Sequence, residues 1–283
     1  MRRFLLGVDF SDRSSRAEEQ ALLLAAGAGA ELAAVHVIDG DLPPRMIEAA
    51  IEEARDRGRL LVERGRALGV TCQLTTVRGE PPLELNTIAR GVDAGLIILG
   101  VHRISPARNA FVGTTADRIL RAAERPVLVI RSSAPHAYRA ALAAIDIFAP
   151  DLKPLSAALD LGLVGADKVT AAFGVETDAM RQLKQQAASL EAVSAAFAVD
   201  EPALRAEAAK LLAAAGLAGT PIVVKPLLFN APDFAIGTAV ETGADLLVLG
   251  ARRKGADHRQ PLGSVSETAL RRAAMDVLVV PAG

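Results

Sequence analysis

Two loops carry the residue types that an anion needs. Residues 100–114 read GVHRISPARNAFVGT and residues 250–264 read GARRKGADHRQPLGS. Each starts on a glycine, closes on a glycine followed by a hydroxyl residue, and follows an apolar run. Where such a loop enters a helix, free backbone N–H groups face a ligand and the helix dipole favours negative charge. Glycine lets the backbone approach a phosphate that a side chain would hold away, and Thr114 or Ser264 adds a hydroxyl donor. Glycines also end strands and open helices for conformational reasons alone. It is the recurrence with the same outer spacing that makes the loop a repeated feature.

Other chemistry has little footing. There is no GxxxxGK[ST] loop, GxSxG elbow or HExxH pair, so phosphoryl transfer, serine hydrolysis and zinc proteolysis lack an anchor, and an enzyme is not expected. His36, His102, His136 and His258 have no partner at metal-ligand spacing, so no metal is expected. The single cysteine, Cys72, allows no intrachain disulfide or CxxC pair, which suits a reducing cytoplasm. GAGAEL (27–32) superficially resembles a dinucleotide fingerprint, but it follows a helical stretch and reads as a helix stop.

The elements that would position the loops come twice. Laid on itself, the chain matches without gaps at a shift of 150 positions: GLIILG (95–100) meets DLLVLG (245–250), and GTTADRILRAAERPVLVI (113–130) meets GSVSETALRRAAMDVLVV (263–280). So long a period indicates a duplicated domain rather than a solenoid. In each half strands alternate with helices, the pattern of a parallel sheet covered on both faces. The expected strands are FLLGVD, ELAAVHVID, VTCQLTTV, GLIILG and PVLVI, then ALAAID, KVTAAFGVE, PIVVKPLL, DLLVLG and DVLVV. The alanine-rich stretch 177–216 is expected to hold two helices broken at VDEPA, where Asp200 can cap the second and Pro202 fits its first turn. In an open α/β sheet the ligand sits beyond the carboxyl ends of the strands where the order reverses, which is where these loops leave.

Composition narrows the partners. The 283 residues are 51% hydrophobic, enough to bury a core without a metal or disulfide. Net charge is −1, basic and acidic residues are interspersed, and aromatics make up 3%, so no nucleic-acid surface is expected. The opening apolar stretch stops at Asp9, short of a secretory core, and no run approaches a membrane span.

Taken together, the pieces resemble the universal stress protein family in tandem form. The resemblance rests on a strand ending in aspartate (GVDFS; AIDIF), then VHVID, VRGEPP, the family's G-two-G-nine-G-[ST] loop, and the terminal RPVLVI strand. It implies a non-enzymatic role in stress physiology and, in nucleotide-binding members, ATP held against the strand-end aspartate and the glycine loop. Carried onto this chain, Asp9 meets the ribose, Val37 lies near adenine, Leu99, Gly100 and His102 line the loop, and Gly113, Thr114 and Thr115 take the phosphates. The second copy offers Asp146, Gly250, Gly263, Ser264 and Ser266. The family's second loop glycine is replaced by Arg103 and Arg253, so a side chain stands where the backbone would approach.

The expectation is an α/β protein with two Rossmann-like open five-stranded parallel sheets, helices on both faces, packed as an intramolecular pseudo-dimer through the last strands. Its domains are residues 1–133 and 140–283. It is expected to be a cytoplasmic stress-response protein regulated by ATP, bound in the first domain because AAFGVE and LLFNAP leave the second with an eroded base-side wall. The competing expectation is a scaffold that binds no nucleotide and acts through protein partners by way of the helices of 177–216. A further two-chain dimer is compatible with either.

Overall fold

The computed structural model describes residues 2–11, 14–100, 115–132, 134–251 and 263–282. In the first half these form β1 (Arg3–Val8), α1 (Ser14–Ala28), β2 (Glu31–Ile38), α2 (Pro44–Ala67), β3 (Cys72–Arg78), α3 (Pro81–Gly91), β4 (Leu96–Gly100), α4 (Thr115–Ala122) and β5 (Val127–Ile130). The second half runs β6 (Ala141–Asp146), α5 (Lys153–Asp160), β7 (Val169–Val175), α6 (Asp178–Gln185), α7 (Leu190–Ala214), β8 (Ile222–Pro226), α8 (Ala231–Glu241), β9 (Leu246–Ala251), α9 (Ser264–Arg272) and β10 (Asp276–Pro281). Every expected strand is present. The stop read at GAGAEL is real: Gly29 takes φ +60° just past α1, a left-handed conformation that glycine adopts without Cβ strain.

Two five-stranded sheets packed through their last strands were expected, and the structure joins them into one sheet of ten strands, in the order β3-β2-β1-β4-β5-β10-β9-β6-β7-β8. Within each half the pairs are parallel, and β5 meets β10 antiparallel with Val127 opposite Val279 and Val129 opposite Val277. The reason is an edge problem. An apolar last strand such as VLVI leaves a row of unpaired backbone groups, and pairing it with its counterpart removes both edges at once.

Alternation along the strands sorts side chains to two layers. Phe4, Leu6 and Val8 face the layer of α1, α2, α5, α6 and α7, while Leu5, Ile97 and Leu99 face that of α3, α4, α8 and α9. Cys72 belongs to the first layer, and burial pushes its thiol up to about 11, against the nearby Arg64 charge. The thiolate is the reactive form, so a thiol reagent at pH 8 should label the native protein far more slowly than the denatured one. Fast native labelling would contradict the burial. Because the folded state holds the proton more tightly than the ordinary value of 9.0, this group's contribution to stability is lost as pH rises from about 9 towards about 11.

The break expected at VDEPA is not there. Two helices do occupy 177–216, but the chain turns earlier: Ala187 adopts φ +54°, and Ser189 caps α7 by accepting a hydrogen bond from the Ala192 N–H at 3.2 Å. Pro202 sits inside α7, where its missing N–H costs about 3 kcal/mol in an isolated helix. Val193, Phe197, Leu204, Ala208 and Leu212 lie on one stripe that spans the proline and packs into the core, and that burial offsets the local penalty.

The segment between the halves is tied down by a buried carboxylate. Asp276, fully buried, accepts hydrogen bonds from the Arg131 N–H (2.6 Å), the Ser132 N–H (2.8 Å) and the Tyr138 hydroxyl (2.7 Å). The Arg131 guanidinium donates to the carbonyls of Leu270 and Ala273, at the C-terminal end of α9 where such groups lack helical partners. Burial, more than the Asp276 charge beside it, pushes the Tyr138 hydroxyl's pKa well above its ordinary value, so it stays a donor.

Candidate functional site

After β1 the chain crosses to α1 on one face, and after the neighbouring β4 it passes to α4 on the other. In an open α/β sheet such a divergence is where a ligand sits, beyond the carboxyl ends of β1 and β4. The second half repeats it between β6 and β9, whose chains lead to α5 and α9 on opposite faces.

In the first half, Asp9 follows the end of β1 and is exposed. Its carboxylate accepts from the Ser11 N–H (3.0 Å) and hydroxyl (2.7 Å), while the Ser14 hydroxyl accepts from the Asp9 N–H at 3.3 Å. These bonds fix an acceptor at the strand end. Phe10, not singled out in the sequence, has φ +56° and lays its ring 5.1 Å from that of His36, whose Nδ1 bonds the Val8 carbonyl at 2.9 Å. A bulky residue in the left-handed region is an outlier of the kind that gathers at functional sites. Nothing in GVDFS signals it.

Val37 lies half-buried on β2, one step past the Val8–His36 pair, and so stands beside Asp9. Gly100 ends β4 next door. The Leu99 side chain is buried in the α3 and α4 layer, its Cδ2 2.9 Å from where a Cβ on Gly7 would stand. His102, Arg103, Gly113 and Thr114 lie outside the described residues. Thr115 opens α4.

The second half holds an open cleft of about 430 Å³ at the matching place. Asp146, half-buried, accepts from the Phe148 N–H at 2.9 Å, a turn like that at Asp9. Gly250, Gly263 and Ser264 line the cleft. Ser266 is buried, and its hydroxyl donates to the Gly250 carbonyl at 3.3 Å, where it braces the loop's first glycine instead of facing solvent. Glu176 pairs with Lys184 at 2.6 Å and Arg181 at 3.6 Å. These hold its carboxyl below the usual carboxylate range, the hydrogen bond from Lys184 contributing most. Arg253 lies outside the described residues.

The reading of an eroded wall needs correction. Strand register, with Asp146 opposite Gly174 and Asp9 in line with Val37, makes Gly174 the counterpart of Val37. A Cβ on Gly174 would fall 2.6 Å from Leu227 Cδ2 and 2.7 Å from Phe234 Cδ1. The missing side chain is replaced by two apolar ones, Leu227 from the turn just after β8 and Phe234 from α8. AAFGVE shows no match to VHVID because the wall is rebuilt from other residues.

Among the described residues no group of three or more His, Cys, Asp or Glu is placed to hold a metal ion, and no helix is long and apolar enough to cross a membrane.

Fold and cleft together define a tandem, doubly wound α/β protein with a ligand-sized opening at the strand ends of its second half. The model of the universal stress protein family matches residues 1–131 and again 137–281, and the chain belongs to that family. Among curated relatives, universal stress protein YxiE of Bacillus subtilis is 26% identical over 145 residues, covering 46% of this chain and 98% of the relative. A universal stress protein of Thermus aquaticus is 29% identical over 133 residues, covering 45% and 96%. Each spans one half. A solved universal stress protein of Archaeoglobus fulgidus spans both: it covers 99% of this chain and 98% of its own at a TM-score of 0.71 and 17% identity, a likeness of fold.

Proposed function

We propose that this chain is a non-enzymatic, cytoplasmic stress-response protein whose first domain, residues 1–133, binds ATP, and whose second, residues 140–283, completes an intramolecular pseudo-dimer across β5 and β10. The observation that carries the reading is the strand-end geometry: a fixed, exposed carboxylate at Asp9 beside Gly100, with Val37 on the flank. Asp9 accepts a ribose hydroxyl, Val37 covers adenine, and Gly100, Gly113, Thr114 and Thr115 give the phosphates backbone and hydroxyl donors, with His102 at the loop's edge.

Arg103 replaces a family glycine and takes space the nucleotide needs. Arg103→Gly is therefore expected to tighten ATP binding about tenfold in a calorimetric titration, roughly 1.4 kcal/mol. Weaker binding would mean that the arginine clamps phosphate instead, as its paired donors can.

A scaffold reading has one observation in its favour, since α7 leaves Val199 80% exposed and Leu190 49% exposed. A parent protein that binds no ATP, but loses a copurifying protein when both are changed to serine, would favour it.

A further inference from the structure

The two edges of the ten-stranded sheet are finished differently. At one end stands β8, whose odd-numbered residues turn towards β7: the Pro221 carbonyl accepts from the Ala171 N–H at 2.8 Å, and the Leu227 N–H donates to the Val175 carbonyl at 2.7 Å. The groups facing outward belong to Ile222, Val224 and Pro226. Arg205 donates to the Ile222 carbonyl at 2.9 Å, Val224 is buried and Pro226 has no N–H to offer, so this edge is closed. At the other end stands β3. There the Leu32 N–H donates to the Thr71 carbonyl at 2.9 Å and the Gly79 N–H to the Ile38 carbonyl at 3.0 Å, which leaves the N–H and C=O of Leu74 and Thr76 pointing out of the sheet. Among the described residues no side chain hydrogen-bonds the backbone of either.

Beside the open edge runs a groove of about 470 Å³ between α2 and β3. The helix lies close on the strand, since a Cβ on Gly58 would overlap Leu74 and one on Gly65 would fall 2.8 Å from the Cys72 Cβ. Ile51, Val62 and Leu74 supply the apolar lining, and Arg55, Arg59 and Arg66 stand along it against one carboxylate, Glu63. Arg59 is engaged by Asp56 at 3.2 Å, while Arg55 and Arg66 have no ion-pair partner among the described residues. An extended segment laid along β3 would satisfy the outward N–H and C=O groups, as peptides that join a sheet edge do. Every second side chain of it would pass over Leu74 and Val62 and end among the guanidinium groups. Glutamate matches that path, with an apolar stem and a carboxylate that arginine binds through paired donors. We propose that the β3 edge docks an extended acidic segment of a partner protein as an added strand, its alternate carboxylates held by Arg55, Arg59 and Arg66. A small anion would use the arginines and leave the strand edge idle, and an uncharged strand would do the reverse. The proposal is independent of ATP binding at the strand ends.

The test is a calorimetric titration of the full chain with a peptide of about eight residues alternating valine and glutamate, a length matched to β3. One peptide should bind per chain, more weakly as salt rises. Affinity should fall about tenfold or more in the double variant Arg55→Glu, Arg66→Glu, whose changes are exposed and break no ion pair. Thr76→Pro removes an outward N–H without touching a bond to β2 and should also abolish binding. Should that variant fold poorly, the same peptide methylated on its backbone nitrogens puts the question to the parent protein, and it should not bind. The proposal is overturned if the parent does not bind the peptide, if a valine–lysine peptide binds as tightly, if the double variant binds unchanged, or if the methylated peptide still binds. It is also overturned if sedimentation shows the chain pairing with itself and Thr76→Pro abolishes that pairing, since the occupant is then a second copy.

Discussion

Asp276→Ala is expected to cost about 3–5 kcal/mol in a urea melt, because the change strands the buried Tyr138 hydroxyl and two half-buried backbone N–H groups at once. Arg131, Ser132 and Tyr138 all point hydrogens at a carboxylate that no water reaches. Tyr138→Phe removes one of those bonds and should cost nearer 1 kcal/mol. The comparison separates a network from a single contact. Equal losses for the two variants, or a loss under 1 kcal/mol for Asp276→Ala, would show that the segment after β5 is held by something else.

Phe173→Ala should be as damaging, at about 3–5 kcal/mol, since it empties the space of a large side chain with no exposed surface. The form of the transition matters more than its size. Because β5 and β10 pair within one ten-stranded sheet, the loss is expected to shift a single cooperative unfolding transition of the whole chain. Calorimetric unfolding that splits into two transitions, with only the later half affected, would show that the halves fold independently.

The strands were legible because buried parallel strands read as continuous apolar runs: GLIILG and DLLVLG become β4 and β9. The strand-end aspartates were legible for a related reason, as each closes such a run with a group the core cannot take. What stayed hidden depended on partners distant in sequence. Pro202 looks like a helix start until the stripe from Val193 to Leu212 is seen to pack across it. Gly174 looks like the loss of a valine until strand register aligns it with Val37 and reveals Leu227 and Phe234 in the vacated space. Asp276 reads only as the opening residue of the strand DVLVV. Only the closing of the sheet brings Arg131, Ser132 and Tyr138 to it. Phe10 gives no sign at all, because its left-handed backbone is imposed by the turn around Asp9.

The unequal roles of the two halves are the centre of the account, and ATP titration of the parent, Asp9→Ala and Asp146→Ala proteins tests them most directly. One ATP per chain is predicted, weakened about tenfold or more by Asp9→Ala and left within about twofold by Asp146→Ala. A larger loss from Asp146→Ala would contradict the assignment of ATP to the first half.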